Sequence, residues 1–427
     1  MSEYDRIRVL WPDHLGIARG KYIPARHAER GTNHCVSTFA LGFDKDMVPA
    51  PGSYMLEGFP DLETHFDTAD IRPGWEAHTG VVVADLLFGG EPYPVAPRLA
   101  LKKAIADWAE LGYRPQVGIE FEAYVTEPDG QGGWKPWDTP HAYVYSTGST
   151  ADPIGLMDEI MRQAEACNIR VESINSEYFA PQFELTLEYG DALRAVDDAF
   201  LFRVLAREVA HRHGLHLTFL GRPFADRGGS GIHVNFSLVD EAGENVLSDP
   251  DDPDGLSAVA RGALAGLCAH HRGMTALCAP TVNAYKRLRP GELSGYWANW
   301  GHDHRCTANR VPPVRGAGTR IENRLSDGGA NVHVAAATVL QAARLGVVEH
   351  LECPPPETGD GLEEANTDQH CAHNLAAALD DLEADTALVE AVGADLVANF
   401  VAIKRAEWDR FERAVTDWEL REYLPYL

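Results

Sequence analysis

Glu120 and Glu122 stand two positions apart in the otherwise apolar run VGIEFEAYV, residues 117–125. Successive residues of a β-strand point to opposite faces. Ile119, Phe121 and Ala123 therefore fall on one face, and Glu120, Glu122 and Tyr124 on the other. Three further segments show the same division. In SGIHVNFSL (230–238), Ile232, Val234, Phe236 and Leu238 oppose His233, Asn235 and Ser237. In APQFELTLE (180–188), Phe183, Leu185 and Leu187 oppose Gln182, Glu184 and Thr186. In TRIENRLS (319–326), Ile321 and Leu325 oppose Arg320, Glu322 and Arg324. One such strand alone is the ordinary wet face of an antiparallel sheet. The four together differ, because their polar faces carry Glu, His, Gln and Arg and no Lys.

If those faces converge, several carboxylates share a cavity. Two like charges about 4 Å apart repel by roughly 4 kcal/mol at an effective dielectric constant of about 20. Such a cluster must bind protons or cations. Oxygen-rich ligation with one imidazole and no thiolate suits Mg2+ or Mn2+ better than Zn2+. The segments YKRLRPGELSGYW and HRCTANRVPPVRGAGTRIENR add Arg287, Arg289, Arg305, Arg310, Arg315, Arg320 and Arg324. Guanidinium groups grip carboxylate and phosphate in two-pronged fashion. Divalent cations beside arginines are what phosphoryl transfer needs, since it relies on positioning and charge neutralisation. Neither a GxxxxGK[ST] loop nor a kinase-type GxGxxG occurs, which disfavours a P-loop enzyme or a protein kinase. The residues themselves reach metal-dependent phosphate chemistry on an anionic substrate.

The elements that position these groups follow from periodicity and punctuation. A chain of 427 residues exceeds the usual size of one core. Residues 1 to about 95 are short β-like runs broken by Gly and Pro. PRLALKKAIADWAELG (97–112) has helical periodicity, with Pro97 near its start and Gly112 at its end. Strands and helices then alternate, with helices expected over 153–167, 191–213, 255–272 and 329–346 and a mostly helical tail from about 373. The division expected is 1–95 and 96–427.

Bulk properties narrow the partners. A net charge of -27 argues against nucleic acid or an anionic membrane surface. The acidic run SDPDDPDG (248–255) reads as a solvated loop. No apolar run approaches the roughly 18–20 residues needed to cross a bilayer, and the start, MSEYDRIRVLWPDHLG, lacks a basic-then-apolar leader. Seven scattered cysteines without a CxxC pair favour free thiols and a cytoplasmic setting.

Six segments, in order, resemble the glutamine synthetase superfamily. DHLGIARGKYIP (13–24) is similar to the entry of its N-terminal β-grasp domain, GIEFEAY to its EpE strand, and SEYFAPQFEL (176–185) to its E-Y-A-P-G-Q-x-E segment. GGSGIHVNFSL resembles its GSGxH strand, PTVNAYKRL (280–288) its NSYKRL, and RIENRLSDGGANVHVAAA (320–337) its RIExRxPD…ANPY. The resemblance implies an α+β fold, with a small β-grasp domain ahead of a catalytic domain built on a curved antiparallel sheet, a half-barrel funnel, with surrounding helices. It also implies two or three Mg2+ or Mn2+ ions per site, ATP as co-substrate, and homo-oligomers (a dodecamer of two stacked hexameric rings) with active sites between subunits. One ion is held by residues matching Glu122, Glu177 and Glu184, and a second by those matching Glu120, His233 and Glu322. Arginines matching Arg287 and Arg324, with Gly229, hold glutamate. Those matching Arg305 and Arg310 neutralise an acyl phosphate, while Arg320, Asn235 and Ser237 fall in the ATP pocket. ATP phosphorylates the γ-carboxylate in the family, and an amine then displaces phosphate.

Departures from the pattern bear on the amine. After Pro290-Gly291 the glutamine-forming enzymes carry a glutamate that closes over the site and helps deprotonate ammonium. Here Leu293 falls at that position and Glu292 sits one residue early. An apolar residue there favours a substituted amine, resembling the γ-glutamyl-amine branch; a slipped Glu292 would restore glutamine synthesis. The segment supplying an ammonium-binding aspartate has no clear match, leaving Asp44, Asp46, Asp61 and Asp67 as candidates. Gly228-Gly229 replaces an Asn-Gly near the α-amino end of the acid, Asn235 replaces a histidine, and Pro181 replaces a glycine. The tail shows no match to the tyrosine segment adenylylated in some bacterial enzymes. The contrasting class is a catalytically silent assembly of the same fold.

Other residues have plainer readings. His211, His213 and His216 read as helix-end and surface histidines, and His302 and His304 as loop decoration. Cys306, beside Arg305, is either a reactive thiol or filler. The tryptophans of EWDRFERAVTDWELREYL (407–424), at helical spacing, are expected to pack against the body.

Overall fold

A computed structural model describes residues 4–139 and 141–427. Eight strands come first: β1 (Arg6–Pro12), β2 (Ala18–Pro24), β3 (Asn33–Cys35), β4 (Asp61–His65), β5 (Arg72–Pro73), β6 (Thr79–Val83), β7 (Asp85–Phe88) and β8 (Glu91–Pro92). They make two four-stranded sheets, ordered β2-β1-β6-β5 and β3-β4-β7-β8. β1 runs parallel to β6 and antiparallel to β2. Trp11 stacks on Phe39 at 5.7 Å, and Phe39 meets Tyr93 edge-on at 4.9 Å, in a small separate core.

The main sheet follows α1 (Pro97–Ala109). Its strands in chain order are β9 (Arg114–Pro128), β10 (Trp134–Pro136), β11 (Val171–Ser176), β12 (Gln182–Leu187), β13 (Gly190–Asp191), β14 (His216–Thr218), β15 (Ile232–Val239), β16 (Trp300–His302), β17 (Asn309–Val311) and β18 (Ile321–Asn323). They are ordered β11-β12-β9-β15-β18-β17-β16, with β10, β13 and β14 also on β9. The sheet is open, not a closed barrel, and apart from β16–β17 its pairs are antiparallel. Its apolar face, including Ile119, Phe121, Leu185, Val234, Phe236 and Ile321, is buried in the main core.

The helices are α2 (Leu156–Ala166), α3 (Ala192–Arg212), α4 (Ala258–Ala269), α5 (His271–Cys278), α6 (Val332–Val348), α7 (Leu375–Ala384), α8 (Thr386–Val392), α9 (Ala394–Glu412) and α10 (Asp417–Tyr423). α3 lies on the buried face of the sheet, where Phe202 stacks on Phe121 at 6.3 Å. α4 and α6 pack backbone to backbone: a Cβ on Gly266 would fall 2.1 Å from the Ala342 carbonyl oxygen. The fold class is α+β, as expected.

Side-chain caps move several boundaries. Ser257 accepts from the Ala260 N–H and starts α4 there, and the chain re-nucleates as α5 after His270, so 255–272 is not one helix. Asn331 caps α6 through the N–H groups of His333 and Val334. The tail needs a correction. Trp408 packs against the main core, but Trp418 is 56% exposed. A capping box at Thr416 and Glu419 opens α10 as a new helix, so its phase is not tied to the buried face of α9. No single helix among the described residues is long and apolar enough to cross a membrane.

Candidate active site

Strand register turns alternate residues into one patch. Glu120 lies opposite His233 on β15 and Thr186 on β12; Glu122 lies opposite Glu184. Asn235 lies opposite Gly118 on one side and Glu322 on the other, and Glu322 opposite Arg310. The buried alternate positions fix this phase. A one-residue slip would put Glu120 and Glu122 in the core and Phe121 in the cleft.

Glu120, His233 and Glu322 each offer a ligand atom, all within 4.8 Å of one another. His233 Nδ1 lies 3.1 Å from Glu120 Oε2 and 3.5 Å from Glu322 Oε1. Its Nε2 is buried, 3.6 Å from Glu122 Oε1, and has no hydrogen-bond partner. Asn235 donates to Glu120 at 2.8 Å. The Gly231 N–H donates to Glu122 at 2.7 Å.

The protein distributes this charge unevenly. Burial opposes ionisation of Glu322, yet Arg324, His233 and Arg310 hold it at about 2. Burial likewise opposes the Glu120 charge, but His233 outweighs it and the carboxylate sits below its ordinary value. Burial and Arg324 press His233 toward neutrality, and the glutamates raise it instead. Glu184, buried and facing the charge on Glu120, is pushed up to about 7. Glu177 is raised by burial and then by Glu122. Protons thus meet part of the repulsion that a cation would otherwise offset. The donor set, five carboxylates and one imidazole with a partnerless buried nitrogen, fits a divalent ion that prefers oxygen.

Arginines border the cluster. Arg310 donates to Glu322 at 2.7 Å and to Asp303 at 2.6 and 3.1 Å, and Arg324 donates to Glu322 at 2.5 Å. Arg287 is buried and, among the described residues, donates only to the carbonyls of Leu325 and Arg324, both at 3.1 Å. No carboxylate lies within ion-pair distance of it among the described residues, so an anionic guest would complete its pairing. Glycines let the chain close on it: Cβ atoms on Gly229 and Gly231 would fall 2.7 Å from Arg287 Cγ and 2.5 Å from its Nη2. Arg305 is exposed and makes no ion pair among the described residues.

Next to Glu120 a cavity of about 210 Å³ is lined by Gln116, Gly118, Tyr189, Asn235, Ser237 and Arg320, among others. Arg320 donates to Asn235 at 3.2 Å. Tyr189 is 68% exposed and passes over Gly118, whose Cβ would sit 3.2 Å from the tyrosine Cβ.

The remaining candidates fall outside the cluster. Leu293 is 51% exposed. Glu292 accepts from Arg222 at 2.7 Å. Asp44 pairs with Arg410, Asp67 caps a turn through the Ala69 N–H, Asp61 lies on β4, and Asp46 makes no side-chain bond among the described residues. None of the four bonds to the carboxylates. His213 pairs with Glu159, His216 packs on Trp134, and His304 meets the Gly359 carbonyl. Burial, with the Asp360 carboxylate, raises the Cys306 thiol above its ordinary value rather than lowering it. The residues not singled out from sequence are Asp303, Tyr189 and Arg222. Asp303 lay in plain view between two histidines; its backbone φ of 49° sets the turn that returns its carboxylate to Arg310.

Comparison with known proteins follows the same line. A family model described as "Glutamine synthetase, catalytic domain" matches residues 94–423. Glutamine synthetase of Clostridium saccharobutylicum is 34% identical over 431 residues, covering 98% of this chain and 95% of that protein. Gamma-glutamylethanolamide synthetase of Streptomyces coelicolor is 32% identical over 436 residues, covering 98% and 92%. A solved structure of GmaS without ligand superposes with a TM-score of 0.85 at 31% identity, covering 99% of this chain and 97% of that one.

Proposed function

The chain belongs to the glutamine synthetase family, whose members are ATP-dependent ligases that use divalent metal ions, and on that premise we propose that it joins glutamate to an amine other than ammonia. The observation that carries this reading is the loop after Pro290. Leu293, half exposed, takes the position where the ammonia-using enzymes keep a glutamate, and the neighbouring Glu292 is turned onto Arg222. An apolar side chain there offers contact area to an alkyl group and no charge to attract ammonium.

The geometry supports the following roles. Arg287 and Arg324, with Gly229 allowing close approach, take the carboxylates of glutamate. Arg320, Asn235 and Ser237 hold ATP in the cavity beside Glu120, with Tyr189 placed to stack on the base. Glu120, His233 and Glu322 would hold one ion, and Glu122, Glu177 and Glu184 another, Mg2+ or Mn2+. Bound there, such ions would supply charge neutralisation at the phosphate oxygens. A γ-carboxylate oxygen of glutamate then bonds to the γ-phosphorus of ATP as the bond to ADP breaks. The amine nitrogen attacks the acyl carbon, the carbon–oxygen bond to phosphate breaks, phosphate leaves with the electron pair, and the surplus proton passes to solvent. Arg305 and Arg310 stabilise the charge that gathers on the leaving phosphate.

Residues 1–95 and 96–427 are read as two domains. The active protein is read as a cytoplasmic homo-oligomer, a dodecamer, whose sites are completed between subunits. The test is phosphate release from ATP with Mg2+ and L-glutamate while methylamine, ethanolamine, putrescine, spermidine and ammonium are supplied in turn. Release that depends on a substituted amine supports the reading; release with ammonium alone would return the chain to glutamine synthesis. A silent assembly would neither release phosphate nor gain thermal stability from Mn2+ and ATP.

A further inference from the structure

Attack on an acyl phosphate requires a neutral amine, and ammonium must give up a proton first. A carboxylate at the mouth of the site assists twice, by attracting the cation and by accepting its proton. Glu292 has the right chemistry and is five residues past Arg287, on a loop that runs against Arg324: a Cβ on Gly295 would fall 3.2 Å from the Arg324 carbonyl carbon. Its carboxylate is nevertheless occupied. Arg222 Nη1 donates to Glu292 Oε1 at 2.7 Å and to the Lys286 carbonyl at 3.0 Å. Arg222 is itself held in place, since its backbone N–H donates to Asn283 Oδ1 at 2.7 Å and its carbonyl accepts from Asn283 Nδ2 at 3.0 Å. The other flank of the loop is fixed by the Gly291 N–H and the Trp297 indole, which both donate to the Leu362 carbonyl.

We infer that Arg222 is a specificity-determining positioning residue: by pairing with Glu292 it withholds a loop carboxylate that could draw in and deprotonate ammonium. The inference rests on the proposed γ-glutamyl-amide reading and adds the device that keeps ammonia out. Arg222 acts through Glu292, to which it donates at 2.7 Å. Removing its charge frees a carboxylate beside Leu293, and the amine site then gains attraction for a small cation.

The experiment compares wild type, Arg222→Gln, Arg222→Lys and the double variant Arg222→Gln/Glu292→Gln. Each receives L-glutamate, ATP and Mg2+, with ammonium chloride or ethanolamine as nucleophile, and kcat and KM are measured separately. Circular dichroism and gel filtration confirm the fold of each. Arg222→Gln is expected to lower KM for ammonium at least tenfold while changing kcat/KM for ethanolamine less than threefold. Arg222→Lys, which keeps the charge, and the double variant, which removes the freed carboxylate, are expected to keep the wild-type ratio. An unchanged ratio in Arg222→Gln, with a wild type that uses ethanolamine, overturns this inference alone. Where ethanolamine is not the amine the wild type uses, the same comparison is run with the one among methylamine, putrescine and spermidine that it does use; a wild type that uses none of the four overturns the γ-glutamyl-amide reading and this inference with it.

Discussion

Glu184→Gln should make the metal-free protein more stable and the enzyme inactive. In the folded chain Glu184 is mostly buried and faces the charge on Glu120, which carries it from 4.5 to about 7. Its side chain accepts no hydrogen bond among the described residues, so a glutamine of the same shape forfeits no contact. At about 1.36 kcal/mol per pKa unit, the rise corresponds to roughly 3 kcal/mol of penalty on the folded state. The sign follows from proton counting. Between about 4.5 and about 7 the folded chain holds a proton the unfolded chain has released, so stability falls as pH rises through that window. Above it the whole penalty is present, and below it none is. The assay is urea denaturation in chelator at pH 5 and pH 8, at one fixed protein concentration because assembly feeds into stability. The variant should exceed wild type by roughly 3 kcal/mol at pH 8 and by less than about 1 kcal/mol at pH 5. A variant less stable than wild type at pH 8, or a gain equal at both pH values, would refute the reasoning.

The opposite sign holds for Glu322→Gln. It strands Arg310 and Arg324 beside a neutral amide and should cost about 3 kcal/mol of metal-free stability near neutral pH by the same denaturation assay. The wild-type contribution of Glu322 is fully present above pH 4.5 and fades as pH falls toward about 2. Glu122→Gln should nearly abolish phosphate release while circular dichroism stays native; wild-type turnover would remove its role with metal. Gly229→Ala should raise KM for glutamate at least tenfold, because the new methyl falls 2.7 Å from Arg287 Cγ and 2.8 Å from the Gly221 carbonyl oxygen. An unchanged KM would detach that glycine from the glutamate pocket.

The carboxylate patch was legible in the sequence because its cause is local. Strict alternation around Glu120, Glu184 and His233 sets the face of each strand, and burial of the partners Phe121, Leu185 and Val234 sets the register that joins them. Helix existence was legible for the same reason, while helix starts were decided by single side chains such as Ser257 and Asn331. Contacts between distant segments had no such signal. Arg222 and Glu292 lie 70 positions apart, and nothing in either neighbourhood announces the other. Tyr189 becomes a cavity wall only because Gly118 on β9 leaves room beneath it. The helical tail was legible, but the packing of α10 was not, because helical spacing gives a face but not the surface that face meets, and Trp418 remains exposed.

The most direct test is a single competition. L-glutamate, ATP and Mg2+ are incubated with the protein and equal concentrations of ammonium, methylamine, ethanolamine, putrescine and spermidine, and the products are weighed by mass spectrometry. The account predicts that the γ-glutamyl amide of a substituted amine outweighs glutamine. Glutamine as the main product would contradict it.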